Sequence, residues 1–121
     1  MPSTDETVAA YAQAWNEPDE AKRRKLLEAA WAADGTYTDP TAHVEGRAAL
    51  VAHIAGFHQQ MPGARIRATS GIDVHHGRLR FTWAMDDAHG AVVVEGIDFG
   101  ELAPDGRLAR IVGFFGPPPA T

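Results

Sequence analysis

The first half of the chain repeats its apolar residues every three or four positions, the spacing of amphipathic helices. A first helix is expected to begin at Thr4 or Asp5, either of which can cap it, and to end at the turn sequence 16–19. A second helix is predicted over 19–33 and would end at the Asp-Gly pair 34–35. The expected core positions are Val8, Tyr11, Ala12 and Trp15 in the first helix and Leu26, Leu27, Ala30 and Trp31 in the second.

A short β-prone run at 36–38 follows the second helix. It is stopped by Asp39 and Pro40, because proline cannot donate a hydrogen bond to a neighbouring strand. A third helix is then predicted over 46–60, closed by the Met-Pro-Gly sequence 61–63. Its apolar stripe comprises Leu50, Ile54 and Phe57.

The second half of the chain is strand-like and is divided by turn residues. The strict alternation of apolar positions at 79–85 indicates a strand with one buried face. Helices followed by hairpin-connected strands are typical of α+β folds. We therefore expect one domain over 1–121, with a core at 5–116 and a Pro-rich tail at 117–121, in which three helices are wrapped by a curved antiparallel sheet that forms a cone with a pocket. The predicted strands are 64–76, 78–88, 91–102 and 107–115.

Composition and charge narrow the function classes. The chain has 121 residues, of which 45 % are hydrophobic, so one folded domain is expected rather than disorder. The formal net charge is −5 and the basic residues are scattered, which argues against nucleic-acid binding. There is no cysteine, no apolar run long enough to cross a bilayer and no basic region typical of a signal peptide at the start. A cytoplasmic protein without nucleic-acid or membrane partners is predicted.

The alternation along 91–102 places one carboxylate, Asp98, on an otherwise apolar or small face of its strand. A lone carboxylate on such a face needs a hydrogen-bonding partner or a functional role. The opposite face carries Val93, Ile97 and Phe99, which suggests a second buried surface. A homodimer through this outer sheet face is the simplest explanation. The residues that share the face of Asp98 are Val92, Val94, Gly96, Gly100 and Leu102.

Three segments, in this order, resemble the nuclear transport factor 2-like fold. They are the first helix with its Tyr and Trp, the YTDP strand end followed by the Gly-Arg start of a helix, and the hairpin GIDFGELAPDGRLARIVGFF. Within that fold the chain is most similar to the SnoaL-like group, which includes small polyketide cyclases, and ketosteroid isomerases share the fold. The resemblance covers residues 5–116. The fold hosts enzymes and binding modules, so it does not by itself specify an activity.

The resemblance implies roles for three residues. Asp39 lies where ketosteroid isomerases carry their general base, Tyr11 where they carry an oxyanion-hole tyrosine, and Asp98 where they carry a protonated aspartate. In SnoaL-type cyclases the position of Asp98 is that of the acid/base. The implied chemistry is cofactor-free proton transfer on a small apolar carbonyl compound, in which burial raises the pKa of the carboxyl that acts as the base. The predicted pocket residues are Trp15, Phe57, Met61 and Trp83.

Each of these residues also has a purely structural interpretation. Asp39 can form a turn before proline, Tyr11 can be a core residue of an amphipathic helix, and Asp98 can be a satisfied buried carboxylate. Arg47 could pair with Glu45 or neutralise Asp39, which would weaken a base at that position. If the carboxylates are consumed in such contacts, the chain is a ligand-binding or dimerisation module rather than an enzyme.

Two further chemistries have little support in the sequence. His53 and His58 are five positions apart, not the four that align two ligands on a helix, and no other histidine or carboxylate completes a set, so no metal or other cofactor is predicted. Epoxide hydrolysis of the limonene type, which occurs on this fold, uses an Asp-Arg-Asp group. Arg110 is the only arginine near the end of the Asp98 hairpin that could serve, and no motif supports that role.

Overall fold

The computed structural model describes residues 2–121 and combines helices with one curved, unclosed sheet. The sheet order is β2-β1-β7-β6-β5-β3, and β4 pairs with β5 beside this path. The helices are α1 (Thr4–Asn16), α2 (Glu20–Ala30) and α3 (Arg47–Gln60), and the strands are β1 (Trp31–Asp39), β2 (Ala42–Glu45), β3 (Arg65–Ala68), β4 (Asp73–His75), β5 (Arg78–Asp86), β6 (Val92–Leu102) and β7 (Leu108–Phe115).

The α+β cone is confirmed, with one difference in the sheet. β1 and β7 pair in parallel, so the sheet is mixed and not wholly antiparallel. The remaining neighbours are antiparallel, including the long β5–β6–β7 meander. The parallel pair joins strands that are far apart in sequence, and α3, which follows β2 along the chain, packs against β1 and β2.

Helix α1 is capped one residue earlier than predicted. The Ser3 hydroxyl accepts a hydrogen bond from the backbone N–H of Glu6 at 3.1 Å, and the Glu6 carboxylate accepts one from the Ser3 N–H at 3.1 Å. This reciprocal capping box uses the extended backbone of Ser3 and leaves Thr4 and Asp5 inside the first turn. The predicted cap at Thr4 or Asp5 is therefore wrong.

The end of α2 is also displaced from its predicted position. The helix stops at Ala30, and Trp31 begins β1 with an extended backbone. Trp31 is fully buried and stacks on Tyr11 with 5.5 Å between ring centroids. Its indole lies so close to Gly35 that a Cβ there would come within 2.8 Å of the ring, so the Asp-Gly pair serves strand packing and does not end a helix.

The strand predicted over 64–76 is divided into β3 and β4. Between them the Ser70 hydroxyl accepts a hydrogen bond from the backbone N–H of Thr82 at 2.8 Å, while Thr69 N–H donates to the Thr82 carbonyl at 2.9 Å. The Ser70 side chain thus takes the place of a main-chain acceptor where the edge strand is interrupted. Strand β2, which pairs with the end of β1, was not predicted.

The apolar core lies between the helices and the concave face of the sheet. Its fully buried members come from every layer, so helices and sheet form one unit. In the described part of the chain, each helix is too short or too polar to cross a membrane. The largest fully buried side chains are Leu27, Trp31, Leu50, Val51, Ile54, Leu108 and Ile111.

Candidate active site

The cone encloses a cavity of about 960 Å³ between α1, α3 and the concave side of the sheet. Most of its wall is apolar, and a few polar groups converge in it, which is the usual composition of a small-molecule site. All seven residues singled out from the sequence lie on this wall, although their roles stay predictions. They are Tyr11, Trp15, Asp39, Phe57, Met61, Trp83 and Asp98.

Asp98 is the buried carboxyl group of the cavity. The residue is only 6 % exposed, and its Oδ1 accepts a hydrogen bond from Trp83 Nε1 at 3.0 Å. Burial raises the pKa of Asp98 to about 7; the hydrogen bond from Trp83 opposes this rise and the negative charge of Asp39 adds to it. At neutral pH the carboxyl group therefore exists in both forms, and it can accept or donate a proton.

Two glycines make room for the Trp83–Asp98 pair. Gly113 is the cross-strand partner of Asp98, and a Cβ at Gly113 would approach Asp98 Oδ1 to 2.8 Å. Gly96 is the cross-strand partner of Trp83, whose indole covers it so closely that a Cβ there would lie 2.6 Å from Cε2. The flat indole and the carboxylate thus occupy space that side chains on these strands would fill.

Asp39 lies in the turn before Pro40, which is one of its two predicted interpretations. Its Oδ2 accepts a hydrogen bond from the Tyr37 hydroxyl at 2.6 Å, and its Oδ1 accepts from the backbone N–H and the hydroxyl of Thr41, each at 2.7 Å. Burial alone would raise the pKa of Asp39, but these donors and the nearby His53 outweigh it, and the pKa is lowered. The expectation that burial makes Asp39 the base with the raised pKa is therefore wrong, and its turn before Pro40 is present.

Arg47 pairs with neither Asp39 nor Glu45, its two expected partners. Its guanidinium donates to the Trp31 carbonyl at 2.6 and 3.1 Å, which ties the start of α3 to the start of β1. Glu45, the other expected partner, lies 3.3 Å from His43 Nε2. Arg110 is exposed on β7 and is not among the residues of the cavity wall, so it does not supply an arginine between the two aspartates.

Tyr11 projects from α1 into the cavity wall. Burial raises the pKa of Tyr11 well above its ordinary value, and the negative charges of Asp98 and then Asp39 raise it further. The phenol therefore stays protonated and is available as a hydrogen-bond donor. Its stacking on Trp31 means that the structural interpretation of Tyr11 also holds: the residue belongs to the core and reaches the cavity.

Two residues of the site were missed by sequence reasoning. Tyr37 precedes Asp39 by two positions on β1, so both side chains point to the same side of the sheet, and this parity could have revealed the pair. His53 comes from α3, and its ring lies 5.5 Å from that of Tyr37 and 5.8 Å from that of Trp15. His53 is three positions after Leu50 and four before Phe57, so helical spacing could have indicated this position. Among residues 2–121 no three His, Cys, Asp or Glu side chains are grouped as metal ligands would be.

Comparison with known proteins agrees with the fold. The model of the SnoaL-like domain matches residues 8–111, and the chain belongs to this family. A crystal structure of a SnoaL-like family member from Agrobacterium tumefaciens str. C58, provisionally named an isomerase, is 34 % identical, with a TM-score of 0.87 over 92 % of this chain and 95 % of that one.

More distant structures share the fold alone. A SnoaL-like protein from Jannaschia sp. CCS1, provisionally named a polyketide cyclase, is 16 % identical, with a TM-score of 0.69 over 90 % of this chain and 84 % of that one. A protein of unknown function with a cystatin-like fold from Methylobium petroleophilum PM1 is 17 % identical, with a TM-score of 0.77 over 97 % and 78 % of the two chains. Comparison with curated proteins gives no match.

Proposed function

We propose that the protein binds a small, mostly apolar carbonyl compound in the cone and catalyses cofactor-free proton transfer with Asp98 as the acid/base. The observation that carries this proposal is a carboxyl group inside an apolar cavity, held by one indole N–H and titrating near neutral pH. A general acid/base works best when its pKa lies close to the operating pH. Asp39, which is ionised and already hydrogen-bonded, is less suited to that role.

The chemistry follows from the two groups that face the same space. Ionised Asp98 removes a proton from the carbon next to the carbonyl, and the electron pair moves onto the carbonyl oxygen to give an enolate. Tyr11 donates a hydrogen bond to that oxygen, which stabilises the charge as it develops. The protonated Asp98 then returns its proton to another carbon, which is isomerisation, or to the alkoxide formed when the enolate attacks a second carbonyl, which is aldol-type cyclisation.

The names of two related proteins correspond to these two reactions. The Agrobacterium protein carries the name of an isomerase and the Jannaschia protein that of a polyketide cyclase. Of the arrangements that the sequence resemblance implied, the one with Asp98 as acid/base agrees better with the titration of the two carboxylates. The proposal therefore takes proton transfer at Asp98 as the common step.

The test of this proposal measures the proton transfer itself. The protein is incubated in D₂O with a panel of cyclic enones and 1,3-diketones, and deuterium incorporation next to the carbonyl is followed by NMR. We expect incorporation that depends on the wild-type protein, with at least one panel member. A compound that perturbs the Trp83 indole signal on binding, yet exchanges only at the buffer rate, would count against catalysis.

The donor role of Tyr11 gives a separate prediction. Tyr11→Phe keeps the ring that stacks on Trp31 and removes only the hydroxyl, so the free energy of unfolding should change by less than about 1 kcal/mol. The exchange rate should fall about 100-fold, the usual cost of losing one donor to an oxyanion. Circular dichroism and urea denaturation check the fold. An unchanged rate in the Phe variant would show that the hydroxyl is not the donor.

A second candidate function has one observation in its favour. Asp39 is held in turn contacts with Thr41 and by the Tyr37 hydroxyl, as expected for a ligand-binding module without turnover. Asp98 is not consumed in the same way, since Trp83 Nε1 bonds to only one of its oxygens. Binding of panel compounds without exchange would favour this alternative.

We further propose that the protein is a homodimer through the outer face of the sheet. Phe99 and Phe114 are 42 % and 54 % exposed there and pack edge to face. Ile97 is the cross-strand partner of Phe114. Sedimentation equilibrium at micromolar concentration should give a dimer, and Phe99→Arg should shift it to monomer. Val74→Arg, a similarly exposed apolar position on β4, is the matched control and should leave the mass unchanged. Wild-type protein that is only monomeric would contradict the interface.

A further inference from the structure

The charged groups of the cavity wall have a one-sided distribution. Three carboxylate residues, Asp5, Asp39 and Asp98, and one imidazole, His53, line it. The chain has 11 lysines and arginines, all within the described residues, and none of them is on this wall. The buried Arg23 and the half-buried Arg47 are engaged elsewhere: Arg23 donates to the Glu17 carbonyl at 2.9 Å and Arg47 to the Trp31 carbonyl at 2.6 Å.

A cavity with this wall disfavours an anionic ligand. A carboxylate or phosphate ester inside it would lose its hydration and meet like charges without a Lys or Arg to pair with. The formal net charge of −5 acts in the same direction at longer range. An uncharged or positively charged ligand meets neither cost.

Asp39 also has hydrogen-bonding capacity to offer. An ionised carboxylate has about four acceptor positions, and three donors use them here: the Thr41 N–H and hydroxyl on Oδ1 and the Tyr37 hydroxyl on Oδ2. One position on Oδ2 is therefore left, in a residue that lines the cavity. The two carboxylates are also close together, because a Cβ built on Gly113 would lie 2.8 Å from Asp98 Oδ1 and 3.7 Å from Asp39 Cβ.

We propose that the cavity selects carbonyl compounds that carry no anionic group and that present a hydroxyl or amino group to Asp39. This inference rests on the proposed function, because it concerns the ligand of the same cavity. In the bound complex, Asp98 and Tyr11 face the reacting carbonyl of the ligand. Asp39 binds the hydroxyl or amino group of the ligand beside that carbonyl. Asp39 is then a specificity-determining residue and takes no proton in the reaction.

Three soluble probes of the same size test the charge selection: acetophenone, benzylammonium and benzoate. Each is titrated to tens of millimolar into ¹⁵N-labelled protein, and the shift of the Trp83 indole N–H signal gives the dissociation constant. We expect acetophenone and benzylammonium to bind, and benzoate to bind at least about tenfold more weakly than either. Binding needs no turnover, so this measurement is independent of the exchange assay.

Two variants separate the role of Asp39 from a general charge effect. Asp39→Asn should weaken benzylammonium at least about fivefold and change acetophenone less than about twofold. Asp34→Asn, an exposed position outside the cavity wall, makes the same change in net charge and should alter neither. Benzoate binding as tightly as acetophenone, or benzylammonium binding that Asp39→Asn does not weaken, would overturn the selection and leave the proposed function standing. If none of the three probes binds, the selection fails, and the exchange assay decides the proposed function separately.

Discussion

Asp98→Asn should slow proton transfer by at least about 100-fold and, above pH 7, make the folded protein more stable. The amide has nearly the shape of the carboxyl group, and its oxygen can still accept the Trp83 Nε1–H bond, so the cavity should keep its form. An amide cannot exchange a proton with the substrate, so the exchange rate should fall about 100- to 10,000-fold, the contribution of a general acid/base. Loss of activity together with a higher free energy of unfolding would indicate that Asp98 serves function and lowers the stability of the fold.

The sign of the stability change follows from the titration of Asp98. Its pKa is raised from 3.8 to about 7 in the folded state, so between these values the folded protein binds more protons than the unfolded chain. The free energy of unfolding therefore falls as the pH rises through this window, and the full cost is present above pH 7. Removing the group should raise the free energy of unfolding at pH 8 by about 1–3 kcal/mol, with little change at pH 4.

Urea denaturation of the wild type and the variant at pH 4, 6 and 8 measures this difference. Asp39→Asn is a useful comparison, because the pKa of Asp39 is lowered and its contribution has the opposite sign. That variant should lose stability at pH 6 and 8, where wild-type Asp39 is ionised, and approach the wild type as the pH falls through the folded pKa. If Asp98→Asn instead costs several kcal/mol at pH 8, Asp98 has a structural role and the enzyme proposal loses its central residue.

The position of Asp98 could be predicted from the sequence because it depends on local order. Side chains alternate along a strand, the hairpin at 103–107 fixes the β6–β7 register, and both are short-range features. The end of α2 could not be predicted in this way. Trp31 has acceptable helix propensity, but it is drawn into β1 by its stacking on Tyr11 and by pairing with Leu108, both far from it in sequence.

The ionisation of Asp39 shows a different limit. The sequence places Asp39 beside Pro40 and allows two interpretations of it, a general base or a turn residue. Which of these holds depends on the number of donors that reach the carboxylate, and two of them come from hydroxyl groups whose direction is set by packing. The shift of a carboxyl pKa depends on the balance between burial, which raises the pKa, and hydrogen bonds to the ionised form, which lower it. Knowing that a carboxylate faces a cavity therefore does not give even the direction of the shift.

Gly96→Ala should be the most destabilising conservative change at the site. A Cβ at this position would overlap the Trp83 indole, 2.6 Å from Cε2, and would lie 2.7 Å from the Phe114 carbonyl oxygen. The backbone of β7 cannot move away without breaking the sheet, and the indole is itself packed against Phe115. Overpacking of this kind costs about 2–3 kcal/mol.

The same substitution should reduce activity through Trp83. Moving the indole lengthens or breaks its hydrogen bond to Asp98, which removes the one donor that stabilises the ionised carboxylate. The pKa of Asp98 should then rise further, and the alkaline rise of the exchange rate, which reports the ionised base, should move to higher pH. A merely loosened fold would lower the rate without moving this pH dependence.

Gly56→Ala is the matched control for stability. Gly56 lies within α3, and a Cβ there has no neighbour within 4 Å, so alanine should stabilise the helix by about 0.5–1 kcal/mol. Both variants add one methyl group, Gly96→Ala against the Trp83 indole and Gly56→Ala into open space at the cavity wall, so a loss of stability in Gly96→Ala alone points to the crowding around Gly96 as its cause. Urea midpoints give the stability, and the Trp83 indole signal reports the hydrogen bond. A Gly96→Ala protein as stable as the wild type, with that signal unmoved, would mean that Gly96 is not what sets the position of Trp83 over Asp98.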